Sequence, residues 1–378
     1  MEHKSMRPVL ASVFASRRVR LTVLPAFAFC LLIFGLYHGS EIRDFGTSLS
    51  PSPSAQTGSN PTPVADTPSA GPVDYSRFAY TQYVTNSAYL CNSVMAFAKL
   101  ASLGSKADRL LMYPSSMLPD AQAGTSGSSA AVPDTDDARL IVKARDAYNV
   151  KLSPIEIEHR DGSDPTWAES FTKLLAFNQT QYDRVLSLDS DSLILQHMDE
   201  LFLSPPAPAA MPRAYWLYPD NKILSSQLVL ATPSTDEFAR IRAKINDAGS
   251  QDYDMEILND LYKDSALILP HRPYNLLTGE FRDQKSHAMY LGDPKEAWDP
   301  VAVYNEAKFL HFSDFPVPKP WVDSSESLQK DNAPLCDKLA DGREDCAARD
   351  LWNSFYTDFR EARKNVCGIP KRRQKSQT

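Results

Sequence analysis

Val185-Leu186-Ser187-Leu188-Asp189-Ser190-Asp191-Ser192-Leu193-Ile194-Leu195 is the stretch that decides the fold. A buried-type apolar run ends in two acids spaced i and i+2. In a parallel α/β sheet, ligands collect at the carboxyl end of a strand. On extended chain, residues two apart project to one side. Asp189 and Asp191 placed there can hold a hard divalent cation such as Mn²⁺ or Mg²⁺, and the cation can hold a diphosphate. The competing reading is a turn closed by Asx hydrogen bonds. The same spacing recurs at Asp134/Asp136 and Asp252/Asp254. The first of these heads a helical pattern and reads as a cap, and the second precedes the helix-like run 255–262. Only the Asp189 pair follows a strand.

Working outward, 78–85 reads as a strand, 87–103 as a helix, 109–113 as a strand, 136–148 as a helix, 154–158 as a strand, and 184–188 as the strand already quoted. Asp164-Pro165 reads as the cap and first residue of another helix, with Trp167, Phe171, Leu174 and Leu175 on its stripe and Glu169 paired to Lys173 at i, i+4. Strands alternating with helices predict an α/β fold, a single Rossmann-like mixed sheet with helices on both faces. Beyond Asp191 the pattern gives strands at 192–195, 227–231 and 309–312, and helices at 234–246, 254–261 and 347–365.

The chain has 378 residues, 43% hydrophobic and 23% charged, with a net charge of −7. That balance argues against nucleic acid as a partner. Residues 21–37 are almost wholly apolar and are preceded by Arg17, Arg18 and Arg20. They read as a short transmembrane signal-anchor, with 1–20 cytosolic and the remainder on the far side of the membrane. A cleaved signal peptide is the rival, but no small-x-small site follows the apolar core. Residues 38–76 hold a Pro/Ser-rich stretch that reads as a disordered stem, and 115–133 as a disordered insertion. The remaining expected divisions are a catalytic domain at 77–325 and a helical extension with a basic tail at 326–378. Cys91, Cys336, Cys346 and Cys367 would lie in an oxidising space. A bridge between the near neighbours Cys336 and Cys346 is one option, buried free thiols another. Asn178-Gln179-Thr180 is a glycosylation sequon within helical surroundings.

A metal-diphosphate site needs a further ligand and a cation for the phosphates. His311, at the end of a short strand, and Lys319 supply these residue types. A core histidine and a surface lysine are the structural alternative. The ordered set Phe171-Thr172-Lys173-Leu174, Gln181-Tyr182-Asp183-Arg184-Val185, Asp189-Ser190-Asp191, Met198-Asp199-Glu200-Leu201-Phe202 and His311 through Trp321 resembles glycosyltransferase family 8, which contains glycogenin and the galactinol synthases. The segment from Tyr274 to Arg282 and the tail Val366-Cys367-Gly368 are similar to its fungal Golgi N-acetylglucosaminyltransferase-like branch.

The resemblance implies a GT-A domain that takes a UDP-sugar with Mn²⁺ (or Mg²⁺) and retains the anomeric configuration. By position it implies Asp189, Asp191 and His311 as metal ligands and Lys319 as the diphosphate contact. Thr85, Asn86, Tyr89, Lys173, Ser190 and Ser226 become donor contacts, and Asp254 and Gln227 lie at the reacting centre. For Thr85 and Asn86 a strand end and helix cap is the alternative reading. Departures from the glycogenin-like pattern are Asp314 for Gly, Met255 for Gln, Gln227 for Gly, and two extra residues between His311 and Lys319. They bear on donor and acceptor identity.

The expectation is therefore a single-pass type II Golgi membrane glycosyltransferase with a lumenal catalytic domain. It would transfer a sugar, N-acetylglucosamine by kinship, to a glycan or glycoprotein acceptor, and self-association is left open. The alternatives are an inert, membrane-tethered scaffold of the same fold, a glycogenin-like glucosyltransferase, or a retaining hydrolase, which would need no lysine or histidine beside the metal.

Overall fold

The computed structural model describes residues 72–118, 135–160, 168–282, 286–322 and 326–368. The expected cytosolic tail, the anchor at 21–37, most of the stem and the basic tail lie outside the described residues. So do the Asp164-Pro165 cap and all but the first four residues of the expected insertion. Of those four, Ser115–Met117 forms a 3-10 turn and Leu118 is buried. Among the described residues no helix is long and apolar enough to cross a membrane.

The strands that organise the molecule are β1 (Phe78–Tyr83), β2 (Asp108–Pro114), β3 (Val150–Ile155), β4 (Arg184–Leu188), β5 (Ser192–Ile194), β6 (Ala209–Pro212), β7 (Leu228–Ala231), β8 (Leu267–Leu269), β9 (Leu276–Leu277) and β10 (Phe309–His311). The longer helices are α1 (Ser87–Ser102), α2 (Asp136–Tyr148), α3 (Thr235–Asn246), α4 (Asp254–Tyr262) and α5 (Ala347–Cys367). Seven strands form one mixed sheet in the order β3-β2-β1-β4-β7-β6-β8. The β3, β2, β1 and β4 strands run parallel, and β7 is antiparallel to both β4 and β6. The chain first builds outward from β1 through β2 to β3, then returns to lay β4 on the other side of β1. The switch in direction opens a crevice at the carboxyl ends of β1 and β4, the place where such sheets bind ligands.

Side chains alternate across this sheet as strand geometry requires. Tyr80, Leu111, Leu186 and Leu230 enter one core with Leu90, Phe97 and Ile141. Their neighbours Ala79, Leu110, Val185 and Val229 enter a second core with Phe171, Ile241 and Leu258. Helices therefore cover both faces, as the alternating pattern predicts. Helix starts follow the expected capping chemistry: Asn86, Thr135 and Ser234 accept backbone N–H groups of α1, α2 and α3.

Three differences from the sequence reading stand out. Strands β6, β8 and β9 were not expected. The segment Ser170–Asn178 is a 3-10 helix, not an α-helix, and its residues 170–177 are all buried. Finally, β3 occupies Val150–Ile155 and not 154–158, whereas α5 turns its expected stripe inward: Phe355 and Phe359, with Trp352 and Tyr356, are buried in a third core with Phe281, Leu310 and Phe312. A disulfide joins Cys91 in α1 to Cys367 at the end of α5, and a second joins Cys336 to Cys346.

Candidate metal-diphosphate site

The pair Asp189/Asp191 leaves β4 at the crevice, and the backbone around it is held on several sides. The Asp189 N–H donates to the Gln227 carbonyl at 2.9 Å, and the Phe312 N–H donates to the Asp191 carbonyl at 3.0 Å. The Ser192 hydroxyl donates to the Asp189 carbonyl at 2.6 Å. A small three-stranded sheet, β5-β10-β9, pairs Ser192 with His311. That pairing turns the imidazole toward the acids. His311 Nε2 lies 3.1 Å from Asp191 Oδ1 and 3.9 Å from Asp189 Oδ2. One ligand atom from each of Asp189, Asp191 and His311 falls within 4.8 Å of the others. Two carboxylates and an imidazole at this spacing suit a single divalent ion such as Mn²⁺. His311 Nδ1 is buried and has no hydrogen-bond partner, so the ring is fixed by its Nε2 side alone.

Two lysines flank the acids. Lys319 Nζ lies 2.6 Å from Asp191 Oδ2 and also donates to the Phe312 carbonyl. Lys173, only 4% exposed, lies 2.7 Å from Asp189 Oδ1 and 2.7 Å from Asp254 Oδ2, and donates to the Ser226 carbonyl at 3.1 Å. The helix pair with Glu169 is therefore not what Lys173 forms, because its side chain points into the crevice. Three acids therefore face two lysines and the imidazole across one crevice.

Electrostatics separates the two acids. Burial pushes the Asp189 carboxyl up to about 6, against the pull of Lys173 and reinforced by Asp191. Burial acts on Asp191 in the same direction, but His311 and Lys319 outweigh it and hold that carboxyl below the usual range. Burial opposes charge on Lys173 as well. Asp189 and Asp254 overcome it and hold the ammonium well above its ordinary value.

The other expected residues fall as follows. Ser226 is buried with its carbonyl on Lys173, and Gln227 is half-buried with Oε1 unpartnered. Ser190 is buried between the two acids. Tyr89 packs edge-on against Trp321, with centroids 5.6 Å apart, and burial followed by Asp191 and Asp189 raises its phenol. Asn86 is exposed and caps α1, accepting from Ala88 and Tyr89 N–H, and Thr85 is half-buried beside it. The cap explains Asn86 without a ligand. Tyr83 was missed. Its phenol is raised well above its usual value by burial, with Lys173 pulling the other way and Asp189 and Asp254 adding to the rise, so it senses the same cluster. The signal was its place at the end of β1, next to the end of β4.

No family model matches the chain. A protein of Gibberella zeae named glucose N-acetyltransferase 1 is 60% identical over 299 residues, covering 78% of this chain and 63% of that protein. The chain thus spans less than two thirds of that relative's length. The Aspergillus fumigatus protein of the same name is 47% identical over 311 residues, covering 78% of each. Among solved structures, the galactosyltransferase LgtC in complex with donor and acceptor sugar analogs is similar at a TM-score of 0.47 and 12% identity, over 78% of this chain and 97% of that one. A likeness that shallow carries no argument, whereas the identity to the two fungal proteins does. The chain belongs to the family of the fungal glucose N-acetyltransferase 1 proteins.

Proposed function

We propose that the protein is a metal-dependent, retaining glycosyltransferase of the GT-A type that uses UDP-N-acetylglucosamine and a glycan acceptor. The observation that carries the reading is the convergence of Asp189, Asp191 and His311, with Lys319 against Asp191, at the switch point of the sheet. The name of the relatives, which couples glucose with an N-acetyl group, supports this choice of donor sugar. A type II Golgi membrane protein with a lumenal domain is part of the same proposal. Two disulfides support an oxidising compartment.

Asp189, Asp191 and His311 would hold the ion, which when bound supplies a Lewis acid to the diphosphate oxygens. Lys319 offers a cationic donor for the charge that grows on departing UDP, a contribution realised mainly in the transition state. In the transfer, the bond from the anomeric carbon to the β-phosphate oxygen breaks. The acceptor oxygen forms the new bond, and its proton passes to the leaving phosphate. A double displacement needs a free carboxylate as nucleophile. Asp254, the candidate from the sequence, is 5% exposed and tied to Lys173 at 2.7 Å. Its role here is to position Lys173 and, through it, Asp189, which favours front-face attack.

The test is calorimetric titration of UDP with and without Mn²⁺, followed by hydrolysis of a panel of UDP-sugars. UDP should bind at least tenfold more tightly with the ion, and Asp191→Ala should remove both that gain and turnover. Equal UDP affinity with and without Mn²⁺ would refute the reading.

A further inference from the structure

A cavity of about 630 Å³ is lined by Tyr215, Trp216, Leu277, Glu280, Arg282 and Ser313 and, along one side, by residues 331–335. Its volume lies within the range of small-molecule sites, about 300–1,000 Å³. Two of its lining residues tie it to the site. Leu277 is the register partner of His311, and Ser313 follows His311 by two positions. The strand ends are packed so closely there that a Cβ on Gly279 would stand 2.7 Å from the Ser313 carbonyl oxygen. None of Lys173, Asp254, Tyr89, Lys319 or Trp321 lines the cavity. It is therefore separate from the groups expected to hold the donor, while sharing the strand ends that carry His311.

The lining has the chemistry of a sugar site. Trp216 is half-buried, and its ring is set edge-on at 84° against Tyr215, with centroids 5.2 Å apart. Tyr215 is itself locked between His271 and Tyr290. The indole is thus a fixed apolar platform, the kind of surface on which the C–H face of a hexose packs. Beside it, the Glu280 carboxylate is aimed by two contacts. The Tyr215 hydroxyl donates to Oε2 at 3.0 Å, and His287 Nδ1 lies 2.7 Å from Oε1. A carboxylate held so can accept further hydrogen bonds from hydroxyl groups. Charge selects among sugars. The Arg282 guanidinium is already engaged by Asp314 at 3.3 Å, the Phe315 carbonyl at 2.7 Å and Asn332 at 3.4 Å. Glu280 and exposed Asp331 therefore dominate the field, which disfavours an anionic ligand.

We propose that this cavity is the acceptor subsite, taking the terminal residues of a neutral glycan with a sugar face on Trp216 and hydroxyls on Glu280. The assignment rests on the glycosyltransferase reading above and adds the acceptor's chemistry and location to it. Saturation-transfer NMR on the full chain, without UDP or metal, tests it. The probes are neutral disaccharides of glucose, galactose and mannose, with sialyllactose as the anionic counter-probe. At least one neutral disaccharide should bind, with affinity falling tenfold or more in Trp216→Ala and, independently, in Glu280→Gln. Absence of neutral-sugar binding, survival of binding in both variants, or preference for sialyllactose would overturn the proposal. UDP titration with Mn²⁺ on the same preparations separates the two readings. Sugar binding as expected but no metal-dependent UDP binding would count against the donor site alone. The reverse pattern would count against this subsite alone.

Discussion

Replacing Lys173 by Met is the sharpest probe of how the site is built. Methionine keeps the length of the side chain but removes the ammonium that lies 2.7 Å from both Asp189 and Asp254. Both carboxylates are buried or nearly so, and among the described residues neither has another lysine within ion-pair distance. Removing one partner of a buried pair costs about 3–5 kcal/mol, because the remaining charge is left uncompensated. For a fold of roughly 300 residues with an unfolding entropy of about 2.1 cal/mol/K per residue, that loss lowers the melting temperature by about 5–8 °C. Mn²⁺ should reverse much of it, since an ion at Asp189 supplies the missing positive charge. Ligand present at a hundredfold over its Kd stabilises by about 2.7 kcal/mol in any case, so the variant must gain more than the wild type. Differential scanning fluorimetry with EDTA and with Mn²⁺ reads both effects. A metal-free melting temperature within a degree of wild type, or a deficit of equal size in both buffers, would refute this account of Lys173.

Three further outcomes follow from the same geometry. With the Asp189 carboxyl raised to about 6, a proton competes with the ion below that pH. Mn²⁺ affinity should therefore drop about tenfold per pH unit below about 6 and level off above it, and a flat profile from pH 5 to 7 in calorimetry would contradict this. In a chain-entropy model, the Cys91–Cys367 bridge, with a sequence separation of 276, contributes about 6 kcal/mol. The Cys336–Cys346 bridge, with a separation of 10, contributes about 3 kcal/mol in the same model. Urea denaturation of Cys91→Ser/Cys367→Ser should show the larger loss, and the opposite ranking would show that native-state strain, not chain entropy, governs. Gly279→Ala should cost about 1–3 kcal/mol by overpacking against Ser313 and weaken Mn²⁺ binding through the neighbouring His311. Unchanged stability and metal affinity in that variant would show that the strand ends give way freely.

Much of the fold was legible because its signals are local. The β4 run ends at the acids, the caps Asn86 and Ser234 sit where helices start, and the apolar stripe of α5 reads directly from Leu351, Phe355, Phe359 and Ala362. What escaped depends on distant chain. Strand β6 is Ala209-Ala210-Met211-Pro212, with no β-branched residue, and its extension comes from pairing with β7 and β8. The buried segment 170–177 carries apolar residues at spacings that fit either helix type, so periodicity could not separate 3-10 from α. Within the site, the Asp189/Asp191 spacing was visible, whereas the tie from Lys173 to Asp254 spans 81 positions and only Glu169 was near enough in sequence to suggest a partner. An even set of four cysteines allowed a Cys336–Cys346 bridge but left free thiols open and could not join Cys91 to Cys367.

The pinned backbone around the two acids has a consequence for ionic radius. Asp189 is fastened through its own N–H and its carbonyl, and Asp191 through its carbonyl to Phe312. The carboxylates can swivel only about their side-chain bonds. Calcium wants about six to eight oxygens at roughly 2.3–2.6 Å in a yielding cage. A stiff frame with two short acidic arms and an imidazole cannot widen to offer that shell. Such a cleft should turn calcium away even where calcium is abundant, and keep its place for a smaller cation that accepts nitrogen.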